Sequence, residues 1–193
     1  MTRWLSHRMV ERGIIKEEEQ ELYQFGIRNG MILLLNVVTA LVIGLLTEQL
    51  AVVAVFTLSF MVLRSYTGGY HSDSRIFCYL GSNLVLLVPV YTQAVFYKTS
   101  LACLLAVLLV SAGIIFLLSP MHSKNRKLDK EEQKHFGRKA RLIAVLELAV
   151  LGILWHAGQI PYAYAVYTGI CITALFMLVG KAQLWIQSHT ENR

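Results

Sequence analysis

The charges of this chain are placed so unevenly that they constrain its class before any motif is read. Of thirty Asp, Glu, Lys and Arg residues, ten lie in residues 1–30 and eleven in 121–141, leaving nine for the other 142 positions. Six apolar stretches fill the remainder: 31–47, 49–63, 76–97, 101–120, 142–157 and 161–180. A helix that crosses a bilayer takes roughly 17–25 such residues, so the third, fourth and sixth stretches qualify outright. The fifth is short and holds Glu147, and the first two are parted only by Glu48 and its neighbours. Apolar residues make up 55% of the chain and charged ones 16%, against about 25% charged in an ordinary soluble domain. The expectation is an all-α polytopic integral membrane protein with six transmembrane helices. Four spans plus a hairpin made from 31–63 is the alternative.

Positive charge sets the expected orientation. With six spans and a cytoplasmic N-terminus, 17 of the 18 Lys and Arg residues fall inside and only Lys98 outside, the bias that cytoplasmic segments carry. A hairpin enters and leaves on one face, so it leaves this assignment unchanged. Both termini are then cytoplasmic. The net charge of +6 is explained by topology and anionic lipid, and no nucleic-acid partner is expected. The three cysteines cannot form a secreted disulfide framework, and no cleavable signal peptide is visible before Ile27. The expected organisation is one membrane domain over 1–193. It divides into an interfacial segment 1–30, helices 1–2 in 31–63, a cytoplasmic loop 64–75, helices 3–4 in 76–120, a basic cytoplasmic loop 121–141, helices 5–6 in 142–180 and a tail 181–193.

Trp4, Leu5, Met9, Val10, Ile14 and Ile15 recur at helical spacing among Arg and Glu, which predicts an N-terminal amphipathic helix on the inner membrane surface. The acidic run from Glu17 to Glu21 reads as a solvated face, with contact to a basic peptide the sharper alternative. Within the spans, Glu147, Asn36, Asn83 and Gln93 are costly in hydrocarbon and should face other helices. Pro89 should kink the third span, and Cys103 and Cys171 read as packing residues.

The segment 64–78 stands apart, because it gathers Arg64, Gly68, Gly69, His71, Asp73, Arg75 and Cys78 on the cytoplasmic side. A thiol becomes a nucleophile when it ionises, which an imidazole and a helix N-terminus both favour. A continuous helix would hold His71 and Cys78 roughly 10 Å apart along its axis, so a dyad needs a chain break between them. Ser72, Asp73 and Ser74 are plausible N-caps for a helix starting there. Gly68 and Gly69 would let the preceding loop fold back over its first turn. Each residue also has a plainer reading: Cys78 as a small packing residue, His71 solvated, Asp73 a cap, Arg64 and Arg75 headgroup anchors. A zinc site is disfavoured by the mismatched donors, and no cofactor is called for. The residues alone leave a cysteine hydrolase as one candidate among several.

An Arg64–(x4)–Gly69-Tyr70-His71–(x6)–Cys78 segment at the head of a middle span, in a basic protein of this size, resembles the accessory gene regulator protein B (AgrB) family. The resemblance extends to the stretch 17–26, which ends Tyr23-Gln24-Phe25-Gly26, and to the basic run before the fifth span. It implies a membrane-embedded cysteine endopeptidase of the bacterial cytoplasmic membrane that matures an AgrD-like quorum-sensing propeptide, acting as a homodimer. By that resemblance Cys78 is the nucleophile and His71 its base, with Asp73, Arg64 and Gly69 as orienting or oxyanion support. A thioester on Cys78 would then be closed by an internal Cys or Ser of the substrate to a thiolactone or lactone. Arg75, Lys124, Arg126 and Lys127 become candidates for binding the acidic tail of the propeptide. The rival readings are a small transporter or permease subunit without peptidase activity, with His71 and Asp73 in a gate, and a scaffold without chemistry, in which Cys78→Ser is silent.

Overall fold

The computed structural model describes residues 2–68, 75–121 and 129–190, with the backbone alone at residues 2, 29, 75–78, 130 and 187–190. The described residues form helices and no strand. These are α1 (Thr2–Glu11), α2 (Gln20–Leu46), α3 (Leu50–Thr67), α4 (Arg75–Tyr91), α5 (Gln93–Lys98), α6 (Leu101–Leu118), α7 (Lys130–His156) and α8 (Ile160–Thr190). The chain divides into two compact units, Met1–Thr39 and Ala40–Arg193.

In the first unit α1 ends sooner than its apolar spacing suggests. Gly13 has φ +67°, and its N–H donates to Val10 O at 2.9 Å while Ile14 N–H donates to Met9 O at 2.9 Å. This pair of bonds closes a helix through a left-handed residue, so Ile14 and Ile15 fall outside α1. Arg8 lies 4.4 Å over the Trp4 ring, and Trp4 and Leu5 are exposed. After a 3-10 turn at Glu17–Glu19, α2 starts at Gln20, well before the apolar stretch that begins at residue 31.

Among the described residues, four helical segments are long and apolar enough to cross a membrane: Glu17–Leu46, Leu50–Thr67, Leu101–Leu118 and Ile160–Ile186. The expected third and fifth spans are not among them, for two different reasons. Pro89 has no N–H to give to the preceding turn, and α4 stops two residues later at Tyr91, with α5 resuming after Thr92. Helix α4 therefore ends after 17 residues. In contrast, α7 is long, but it shares its length with charge. Residues 130–141, expected as part of a basic loop, form the first turns of that helix. Its start is supported by Asp129 N–H donating to Glu132 Oε2 at 3.3 Å.

In the second unit α8 packs against α3, α4, α5, α6 and α7. A close approach occurs at Gly169, where an added Cβ would lie 2.6 Å from Ser59 Oγ of α3. Small residues bring helix backbones together where apolar burial alone gives no drive. At the same crossing Ser59 Oγ–H donates to the buried Glu147 carboxylate of α7 at 3.0 Å. Three helices thus meet around one acid, which answers the expectation that Glu147 faces other helices. Asn83 also turns inward, and its Oδ1 is buried without a hydrogen-bond partner.

The two ends of this unit are built differently. At one end Glu48 (φ +57°) and Gly158 (φ +71°) each reverse the chain in three residues. Gln49 N–H reaches Gly44 O and Gln159 N–H reaches Leu154 O, both at 2.9 Å. At the opposite end the described residues include Gly68, after α3, and Ser119–Met121, after α6.

Candidate active site

The described residues nearest in sequence to the candidate segment 64–78 are the last turn of α3 and the backbone of the first turn of α4, and the chain that leaves α6 meets the end of α3. Arg64 extends along the end of its own helix. Its Nη1 donates to Gly68 O at 2.9 Å, and its guanidinium lies 4.9 Å over the Phe176 ring of α8. A planar cation can do both at once, bonding in its plane and stacking on its face. Arg64 therefore fixes the direction in which the chain leaves α3.

Thr67 is fully buried, and its carbonyl accepts the Met121 N–H at 2.9 Å. Gly68 follows at φ +70°, ψ −153°, a region open essentially to glycine alone. A Cβ there would stand 2.7 Å from Met121 O. Residues 120–121 act as a strap across the exit from α3. The strap is backed in turn by α7, where a Cβ on Gly137 would approach Pro120 Cδ to 3.0 Å. The basic first turns of α7 lie beside the same exit. Tyr66 and Phe136 rings are 6.4 Å apart, and Lys139 Nζ is 5.8 Å over the Tyr66 ring.

Helix α4 begins at Arg75, which puts Cys78 at its fourth residue. Backbone N–H groups of a first turn have no partner within the helix, and the helix dipole is positive there. Gly69, His71 and Asp73 lie outside the described residues, as do Lys124, Arg126 and Lys127, and for Arg75 and Cys78 only the backbone is described. Of the predicted site residues, the structure thus describes Arg64 in full and gives Cys78 its place in a helix. Sequence reasoning missed the strap at Pro120–Met121, the backing at Gly137 and the Phe176 platform. Gly137, a lone glycine amid helix-forming charged residues, was a signal that could have been read. No group of three metal-binding side chains occurs among the described residues. Both free thiols described, Cys103 and Cys171, lie on α6 and α8; Cys103 is exposed rather than packed.

Residues 1–178 match the protein family described as accessory gene regulator B, a span that takes in α1 to α7, most of α8 and the whole of 64–78. The chain belongs to that family. Among curated relatives it is similar to an accessory gene regulator protein B of Staphylococcus intermedius, 26% identical over 156 residues, covering 79% of this chain and 80% of that protein. It is also similar to a putative AgrB-like protein 2 of Clostridium perfringens strain 13, 24% identical over 131 residues, covering 65% and 61%. A putative AgrB-like protein of C. perfringens strain SM101 aligns to the same extent. The match thus spans about 61% of the length of the clostridial relatives. No solved structure matches the chain.

Proposed function

We propose that the protein is a membrane-embedded cysteine endopeptidase that removes the C-terminal tail of an AgrD-like quorum-sensing propeptide and promotes its cyclisation. The observation that carries this reading is the family match, which includes the whole Arg64–Gly69–His71–Cys78 pattern. The start of α4 at Arg75 supports it. Cys78 is the fourth residue of that helix, and a first-turn position favours the thiolate. In this reading Cys78 Sγ attacks the scissile carbonyl while His71 takes the thiol proton and later gives it to the leaving amine. The tail departs and an acyl thioester to Cys78 remains. An internal Cys or Ser of the substrate then attacks the thioester carbonyl, releasing Cys78 and closing the ring. Exchange between thioesters is nearly isoenergetic, so the site must keep water out and the internal nucleophile close.

The strap holds the chain at Thr67–Gly68, ahead of His71 and Cys78 in the sequence, and Arg64 acts as a positioning residue there. Gly69 and Asp73 would serve the loop that follows. Lys139 beside Tyr66 extends the cationic surface to the mouth of the loop, a surface that with Arg75, Lys124, Arg126 and Lys127 would draw an acidic tail. Six crossings result if α4 continued by α5, and the apolar half of α7, supply the third and fifth. Both termini and the reacting segment are then cytoplasmic, α1 lies along the inner surface, and a homodimer is the working unit.

Co-expression with the neighbouring propeptide, followed by mass spectrometry of the released tail, tests the proposal. Loss of cleavage in Cys78→Ala, Cys78→Ser and His71→Ala, with cleavage retained in Cys103→Ala and Cys171→Ala at matched protein levels, is the expected result. Cleavage that survives Cys78→Ala overturns it.

A further inference from the structure

The end of α6 and the early turns of α7 enclose a recess of about 400 Å³ lined by Ser119, Pro120, Gln133, Lys134, Gly137, Arg138 and Arg141. Lys134, Arg138 and Arg141 are spaced i, i+4 and i+7, so they stand on one face of α7. All three are exposed, and none forms an ion pair with a carboxylate among the described residues. Gly137 lies on the same face; its missing side chain lets the Ser119–Pro120 wall close in. Arg141 is held in place from α6, its Nε–H donating to Phe116 O at 3.3 Å. That leaves the two terminal nitrogens, the pair that meets a phosphate in a fork.

Immediately beyond this recess the surface changes character. Leu142 follows Arg138 by four residues and Val145 follows Arg141 by four, so both continue the cationic face toward the apolar half of α7. Leu142 is 60% exposed, and Leu117 beside Phe116 on α6 is 84% exposed. Three cations spread over two turns of α7, leading into exposed aliphatic side chains on the next turn, match an amphiphile with an anionic head and hydrocarbon tails. A soluble acidic peptide would use the cations and leave the aliphatic surface unmet.

We propose that this recess binds the phosphate of an anionic phospholipid, with its acyl chains along Leu117, Leu142 and Val145. The proposal rests on the membrane embedding advanced above and gives it a specific lipid contact. Lipid retained by the purified full-length protein is to be read by native mass spectrometry after exchange into equal phosphatidylglycerol and phosphatidylcholine. Each basic side chain near a charged headgroup adds to the attraction, so preference for phosphatidylglycerol should fall roughly tenfold or more in Lys134→Gln/Arg138→Gln/Arg141→Gln. Arg3→Gln/Arg8→Gln/Arg12→Gln should keep it.

Equal loss in both triple variants means diffuse surface charge and overturns the site. Displacement of the lipid by millimolar inorganic phosphate, or by hexaglutamate, overturns the lipid assignment in favour of a free anion or a peptide. If the triple variant unfolds, Leu142→Asn/Val145→Asn provides the second arm; unchanged lipid retention there overturns the proposal. Carbonate extraction of native membranes separates the two failures. Release of the protein sinks the embedding itself, whereas retention without lipid preference sinks only this inference.

Discussion

The two ends of the Ala40–Arg193 unit solve the problem of connecting helices in opposite ways. At the turn end, residues 47–49, 99–100 and 157–159 join helices with two or three residues, and backbone bonds close the reversals at Glu48 and Gly158. At the basic end seven residues separate α3 from α4 and eleven separate α6 from α7 in the sequence, and a strap and a stacked guanidinium hold the chain at Gly68 and Met121. Short connections leave no room for a reacting group, whereas long ones can hold one only if something fixes where they begin. The difference predicts that the turn end governs stability while the basic end governs processing.

The sharpest way to break that division is Gly68→Ala. The methyl would meet Met121 O at 2.7 Å, and the backbone at φ +70°, ψ −153° disfavours any side chain. A strain of about 2 kcal/mol released by shifting the loop is worth roughly thirtyfold in processing rate. The rate of tail release should therefore fall by that order while the thermal midpoint moves little. A lowered midpoint with unchanged tail release would reverse the assignment of roles. Ser59→Ala probes the acid shared by three helices between the two ends. It leaves the buried Glu147 carboxylate without its donor, at a cost of about 1–3 kcal/mol in stability. Glu147→Gln, which still accepts from Ser59, should unfold close to wild type in the same thermal assay. Equal destabilisation by both would mean that the hydrogen bond is not what holds α3 to α7.

At the turn end the effects are smaller and fall on stability alone. Glu48 occupies a left-handed conformation that costs a non-glycine residue about 1 kcal/mol, so Glu48→Gly should stabilise by about that much. Gly158→Ala imposes the same penalty in reverse. Opposite shifts in midpoint, with tail release unchanged in both, would sharpen the contrast between the ends. A processing defect in either would erase it.

These features were unequally legible in the sequence. Charge distribution displays helical class and the number of apolar stretches, because hydrocarbon tolerates few charges whatever the fold. It does not display where helices begin. Residues 130–141 read as a loop because they are charged, yet Lys, Arg, Glu and Gln are good helix formers and continue α7 without a break. Pro89 signals a disturbance but not its place, which is settled where Thr92 Oγ–H bonds back to Val88 O at 2.8 Å. Around the site, Arg64 and Cys78 stand out by residue type. Their supports do not, since Thr67–Met121 is a backbone bond between segments more than fifty positions apart, and such a bond leaves no trace in composition.

Gly137 offers the most delicate test of the strap. An alanine there would bring its Cβ to 3.0 Å from Pro120 Cδ, close enough to push the strap by a few tenths of an ångström. Within a helix the same change removes the entropic cost of glycine, a gain of about 0.5–1 kcal/mol. The two effects act on different observables. Gly137→Ala should raise the thermal midpoint slightly through α7 and lower tail release about two- to threefold through residues 120–121. That increment corresponds to less than about 0.7 kcal/mol at the transition state. If tail release rises with the midpoint instead, the backing of the strap by α7 has no bearing on the loop, and Arg64 with Phe176 alone fixes its departure.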